Sequence, residues 1–299
     1  MNKTLLYALM VVLASSSYGI LSTIVKLAMQ AGYTSAEAIT SQYVVGFILV
    51  LLLFLLFDRK RQSFSAIGLL TIVIAGILTA TTGIVYGQAL NYLPASLSVV
   101  MLFQFTWMGL FIDCLLKRRL PSRAEGISLV FLFAGTILAA GVLEVNLSAI
   151  PLKGWLFGLL SALSFALFIQ VNSRSVEGVT MFGRTLIIST TALIVISLTL
   201  SPEIIWNGQM TSGLWKFAII LGLFGIVLPI LLLSIAVPKV GGGLASILSA
   251  MELPVAIIVS VIFLAETLTV LQIVGIVLVL IGMTLPSYFS LRDKYTSSH

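Results

Sequence analysis

The chain is 299 residues long, with 60% of its residues hydrophobic, 9% charged and a formal net charge of +6. A water-soluble domain carries about 25% charged residues and could not bury this much apolar surface, so the composition excludes a soluble globular protein and makes the lipid bilayer its solvent. The cations sit in short clusters between apolar runs, so the positive balance is not a nucleic-acid footprint. Cys114 and His299 are the only cysteine and histidine, which rules out an intrachain disulfide, a thiol–histidine pair and a histidine-based metal centre. No cofactor is expected.

A bilayer core of about 30 Å takes roughly 20 apolar residues per helix. In chain order the runs 5–28, 37–57, 66–89, 95–116, 124–143, 154–172, 180–200, 214–237, 243–264 and 269–289 qualify. They predict an all-α integral membrane protein of ten transmembrane helices. The first run begins like a secretory signal, with Lys3 ahead of it and Ala14-Ser15-Ser16-Ser17 within it. The apolar pattern resumes beyond that point, however, so the segment reads as a membrane span. The connections are short, and the longest, 201–213, carries Pro202, Trp206 and Asn207 in the manner of an interfacial turn.

Orientation follows from where Lys and Arg fall. One side holds Lys3, Arg59, Lys60, Arg61, Lys117, Arg118, Arg119, Arg123, Arg174, Arg184, Lys239, Arg292 and Lys294. The other holds Lys153 and Lys216, and Lys26 lies inside the first run. This asymmetry predicts cytoplasmic N- and C-termini in a bacterial inner membrane.

The sequence repeats weakly at an offset of 147: Ser17-Tyr18-Gly19 corresponds to Ser164-Phe165-Ala166, and Leu97–Thr106 to Leu244–Pro254 within a residue. The expected units are 1–147 and 148–299, five helices each. An odd number of spans forces the second unit to enter the membrane inverted. Inverted repeats are the architecture of many secondary transporters, whose substrate site lies near the midplane between them.

Glu252 lies deep in the ninth run, where an unpaired acid costs at least about 2–3 kcal/mol. Such a residue faces a cavity or a partner. Pro254, two residues on, frees a backbone carbonyl. The functional reading is a proton- or cation-binding site, and the bland reading is an interhelical hydrogen bond. Gln104 occupies the corresponding place in the fourth run, where an amide donates and accepts without titrating. Trp107, one turn on, is suited to stacking on a planar or cationic ligand or simply to packing.

Polar stripes at helical spacing mark further candidates. They are Ser15, Gly19, Ser22 and Lys26 in the first run, Thr79, Thr82 and Tyr86 with Gln88 in the third, and Ser161, Phe165, Phe168 and Asn172 in the sixth. Tight helix packing is the competing account of the small residues, and snorkelling to the headgroups that of Lys26. The candidate substrate- or proton-binding set is Glu252, Gln104, Trp107, Tyr18, Ser22, Thr82, Tyr86, Gln88, Phe165 and Ser249. Asp113 with Lys117-Arg118-Arg119 reads as a local ion pair with positive-inside anchoring. Gly241-Gly242-Gly243 is not a phosphate loop, because no Lys-Ser/Thr follows it.

Tyr86-Gly87-Gln88-Ala89-Leu90-Asn91-Tyr92-Leu93-Pro94-Ala95-Ser96 resembles the junction between the third and fourth helices of EamA-type drug/metabolite transporters. Glu252-Leu253-Pro254 resembles that family's motif in the ninth helix. Glu266-Thr267-Leu268-Thr269, with Gln272, Gly275 and Gly282, resembles its entry into the tenth. The chain departs from the pattern at Phe103-Gln104-Phe105-Thr106-Trp107, at Ser41-Gln42-Tyr43, and at Tyr18-Gly19 with Phe165-Ala166.

The resemblance implies a secondary transporter, not an enzyme. It would export an amino acid, a related metabolite or a drug by alternating access, either proton-coupled or as an uncoupled facilitator, working as a monomer or weak homodimer. A membrane enzyme is disfavoured by the lack of an internal histidine and of two acids at matching depth. A non-transporting structural or regulatory protein is disfavoured by the midplane acid.

Overall fold

In lipid, an isolated segment can satisfy its backbone N–H and C=O groups only by forming a helix, and the apolar runs do so. The computed structural model describes residues 3–58, 62–93, 95–139, 151–200, 202–264 and 268–296. Their regular structure is helical: α1 (Lys3–Gly19), α2 (Leu21–Gln30), α3 (Ser35–Phe57), α4 (Ala66–Leu90), α5 (Ala95–Phe103), α6 (Phe105–Leu116), α7 (Arg123–Ala139), α8 (Leu152–Asn172), α9 (Met181–Thr199), α10 (Trp215–Gly222), α11 (Leu228–Val240), α12 (Gly242–Leu248), α13 (Glu252–Leu264) and α14 (Val270–Thr296).

Eight stretches among the described residues are long and apolar enough to cross a membrane. They coincide with the first four runs and with the sixth to the ninth. The fifth run is the 17-residue α7, and the apolar part of the tenth is Val270–Pro286. Residues 140–150, which contain the expected boundary between the two units, lie outside the described residues, as do Arg59, Lys60, Arg61, Pro94, Glu266 and Thr267.

Helix starts are written in the sequence as capping residues, which satisfy first-turn N–H groups that lack intrahelical partners. Thr34 Oγ1 accepts from Glu37 N at 3.1 Å while Thr34 N donates to Glu37 Oε2 at 2.7 Å. The same reciprocal box joins Ser122 to Glu125 ahead of α7 and Thr269 to Gln272 at the start of α14. Single caps from Ser65 and Thr180 start α4 and α9.

Outward faces are apolar and exposed, with Leu198 at 82% and Leu56 at 64% exposure, while a continuous core runs from Val11 and Tyr43 to Ile230 and Val237. That inside-out apolarity is what a lipid solvent permits. α7 lies along α14, and α4 along α8 and α9. α3 lies along α9 and α10, α1 along α11 and α13, and α6 along α8 and α12.

Four interruptions break the membrane helices. Ile20 separates α1 from α2, and Gln104 separates α5 from α6. A wide π turn, Leu223–Val227, precedes Pro229, and a tight 3-10 turn, Ser249–Met251, precedes Glu252.

At one end of the bundle the loops are tied together. Ser63 N donates to Gly178 O at 2.9 Å, and Gly178 has φ +75, with the Ser63 carbonyl where a Cβ would sit. Only glycine fits there. Nearby, Asp113 is 2% exposed and accepts from Lys117 Nζ at 2.8 Å and Arg119 Nη2 at 2.9 Å. Arg119 also bonds Glu125 at 2.7 Å. Glu125 first, with help from Asp113, holds the Arg119 guanidinium protonated well beyond its ordinary range.

The α7–α14 contact rests on glycines that let two backbones meet. A Cβ on Gly275 would lie 2.6 Å from Gly135 O and 2.7 Å from Ala139 Cα. Gly275→Val should therefore lower the thermal midpoint in detergent by roughly 5 °C or more. Gly126→Ala, where a Cβ meets nothing within 4 Å, should leave it unchanged or raise it. Equal midpoints for Gly275→Val and wild type would show that this interface is not tight.

Candidate functional site

Three of the four breaks, at Ile20, Leu223–Val227 and Ser249–Met251, meet around α1 and α13. A Cβ on Gly19 would lie 2.6 Å from the Glu252 carbonyl oxygen and 2.9 Å from Val255 Cβ, so the end of α1 rests directly on the start of α13. Ser17 Oγ donates at 2.5 Å to the Phe224 carbonyl inside the π turn. A backbone group in an irregular turn thus finds its partner within the protein. Glu252 lies about 15 Å along the helix from Gly242 and a little more from Leu264, at 1.5 Å per residue.

A cavity opens beside it. Its wall is drawn from both halves of the chain: Tyr18, Gln42, Tyr43 and Thr82 from the first, Phe165 and Glu252 from the second. Val25, Ile39 and Leu90 carry the wall from mid-helix toward the end of the bundle formed by residues 31–34 and 91–93. The opposite end is closed by the α6–α8–α12 contact, where Gln170 Nε2 donates to Gly109 O at 2.6 Å.

Glu252 is 8% exposed and its Oε2 has no hydrogen-bond partner. A desolvated carboxylate oxygen with nothing bound to it is costly. Tyr43 is fixed by a 2.8 Å bond from its hydroxyl to Thr79 O across the α3–α4 contact. Tyr18 meets Phe165 edge-on at 5.6 Å, and Phe105 packs behind Phe165 at 4.7 Å.

Of the candidates read from the sequence, Glu252, Tyr18, Ser22, Thr82, Tyr86 and Phe165 line this cavity. Gln104, Trp107, Gln88 and Ser249 do not. Gln104 spends its amide locally, accepting from Trp107 Nε1 at 2.9 Å and donating to Val100 O at 3.1 Å. Ser249 is fully buried in the 3-10 turn behind Glu252, and Gln88 lies half-buried near the end of α4.

The cavity's amide is Gln42, which the candidate set omits together with its neighbour Tyr43. The signal was available, because Ser41-Gln42-Tyr43 is a polar triplet within an apolar run and a departure from the family pattern. Lys26 and Ser15 also lie outside the lining, and Ser15 bonds its own helix at Val11 O.

The EamA-like transporter family matches residues 152–288 of this chain. The second half is EamA-like. That family is one of transporters and not of enzymes, and the apolar helices make the chain a multi-pass membrane protein. No curated protein matches the chain. One solved structure, described only as "Crystal structure of protein", superposes with a TM-score of 0.73 over 98% of this chain and 99% of that one. At 12% identity that likeness concerns the fold alone.

Within the EamA-like half, the matching residues divide into two kinds. Thr269 and Gln272 cap α14, and Gly275 and Gly282 pack α14 against α7. These hold the scaffold. Glu252 faces the cavity.

Glu252 Oε2 has no hydrogen-bond partner, so replacing that oxygen with an amide nitrogen breaks no bond at that atom. Glu252→Gln should melt at or above the wild-type midpoint in detergent, whereas Tyr43→Phe, which deletes a satisfied buried bond, should cost about 1 kcal/mol. A lower midpoint for Glu252→Gln would reveal a structural partner for the acid.

Proposed function

We propose that this protein is a secondary transporter that exports a small molecule by alternating access. Ten spans in two inverted five-helix units would rock around the cavity at Glu252. The observation that carries this reading is a desolvated carboxylate with a free oxygen, set in a cavity between the two halves of an EamA-like chain.

Helix packing supports the inverted repeat. A shift of 147 residues carries the α1–α11 contact onto α8–α4, the α3–α10 contact onto α9–α4, and the α6–α8 contact onto that of α13 with α1. The pairs α3–α9 and α7–α14 map onto themselves, and α6–α12 maps onto α13–α5. Tyr18 and Phe165, which are equivalent under the shift, touch each other.

With both termini cytoplasmic in the inner membrane, the loops at 31–34 and 91–93 lie outside. The cavity is then outward-facing, and the cytoplasmic end is shut by Gln170–Gly109, Ser63–Gly178 and the Asp113 cluster. A proton on Glu252 is the coupling ion in this scheme, and the uncoupled facilitator is its rival.

Cysteine labelling checks the orientation. In a Cys114→Ser background, Gln62→Cys and Ser122→Cys should react only with reagent that enters the cell, and Asn207→Cys with impermeant reagent outside. Labelling of all three from one side would defeat the ten-span scheme. Flux in proteoliposomes, without nucleotide, checks the coupling. Glu252→Gln should insert normally, lose uphill transport and keep downhill exchange. Uphill export equal to wild type from about pH 6 to about pH 8 would leave Glu252 without a coupling role.

A further inference from the structure

We propose that the cavity is built for a hydrophobic organic monocation, a single amine or quaternary ammonium charge carried on an apolar body of aromatic size. This inference rests on reading the cavity as the transport site.

Charge comes first. Among the described residues that line the cavity, Glu252 is the only acid, and there is no Lys, Arg or His. A charged ligand taken into an apolar enclosure needs its counter-charge inside that enclosure. One acid answers one cation.

The rings come second. Tyr18, Tyr43, Tyr86, Phe165 and Phe168 all contribute to the wall. An aromatic face attracts a cation electrostatically, and more strongly once water is excluded. Phe165 is held between Phe105, at 4.7 Å and edge-on, and Phe168, stacked at 5.9 Å. The aromatic wall is therefore fixed before a ligand arrives, and binding it pays little for ordering.

The donors come third, and they discriminate among ligands. Thr79 and Thr82 give their hydroxyl protons to Ala75 O and Leu78 O of their own helix, and Tyr43 gives its proton to Thr79 O. The remaining lining donors, on Tyr18, Tyr86, Ser22 and Gln42, are neutral. A zwitterionic amino acid would place its ammonium on Glu252 and leave its carboxylate without a cation. An anion would meet Glu252 and nothing of opposite sign. A polyamine would bring a second charge for which the wall has no acid. A neutral nucleoside would leave the buried carboxylate unpaired. Each mismatch leaves a desolvated charge, the strongest form of rejection a pocket has. A monocation leaves none.

The test uses the purified full chain in detergent micelles with tetraphenylphosphonium as the probe, read by equilibrium dialysis. Saturable binding to wild type is expected. Glu252→Gln should weaken it about tenfold or more, with an unchanged gel-filtration profile as the folding control. Tyr86→Phe should keep it and Tyr86→Leu should weaken it about threefold or more. L-phenylalanine and spermidine should not displace the probe at comparable concentration.

Absence of saturable binding, equal binding to Glu252→Gln, or displacement by L-phenylalanine would overturn the proposal. Flux of tetraphenylphosphonium in proteoliposomes is scored separately. Binding without flux defeats the transport reading while the site stands. Uphill flux of another compound without cation binding defeats the site and leaves transport intact.

Discussion

An apolar solvent offers no partner to a backbone N–H or C=O, so a chain in lipid is free to depart from helix only where the protein itself supplies one. This constraint locates the unusual features of the fold. Ile20, the π turn at 223–227 and the 3-10 turn at 249–251 all lie inward, on elements that touch one another around α1 and α13. The Phe224 carbonyl takes its bond from Ser17, on a neighbouring helix. These three breaks border the cavity, through Leu21, Gly225 and Glu252.

The same solvent sets the standing of Glu252. On a lipid face the acid would be prohibitive. Inside, pressed by Gly19 from behind and open to the cavity in front, it is tolerated but left with a free oxygen. Compare Asp113, another buried acid, whose two cations and neighbouring Glu125 close it into a network. One acid is satisfied by its own chain. The other waits for something that arrives, and the aromatic side chains around it make that arrival selective.

Much of the fold was legible because lipid imposes a simple code. Apolar runs of sufficient length became helices, and Thr34-x-x-Glu37, Ser122-x-x-Glu125 and Thr269-x-x-Gln272 started them. Glu252 was legible for the opposite reason, as a residue that the code forbids without cause. Gln104 shows where reading by position stops. It shares depth with Glu252, yet the break at that residue turns its amide onto Trp107 and Val100. Depth can be counted along a sequence. The face of a broken helix cannot, since a single irregular turn redirects every side chain near it. Gln42 and Tyr43 were missed because a polar triplet in an apolar run shows that something is buried and not what it borders.

The π turn at 223–227 has a consequence for insertions and deletions. An α-helix advances about 100° per residue, so a turn that holds one residue more rotates all that follows it by about that angle. Here α10 faces α3 and α11 faces α1, two partners that one straight helix of this composition would struggle to serve together. The extra residue acts as a rotary joint between them. Removal of any one residue from Leu223–Val227 would relax the joint to ordinary helix and turn one half of this span out of phase with its neighbour. That segment should therefore tolerate changes of residue type better than changes of length, and a one-codon deletion there should unseat either α3 or α1 without altering the apolar character of the span.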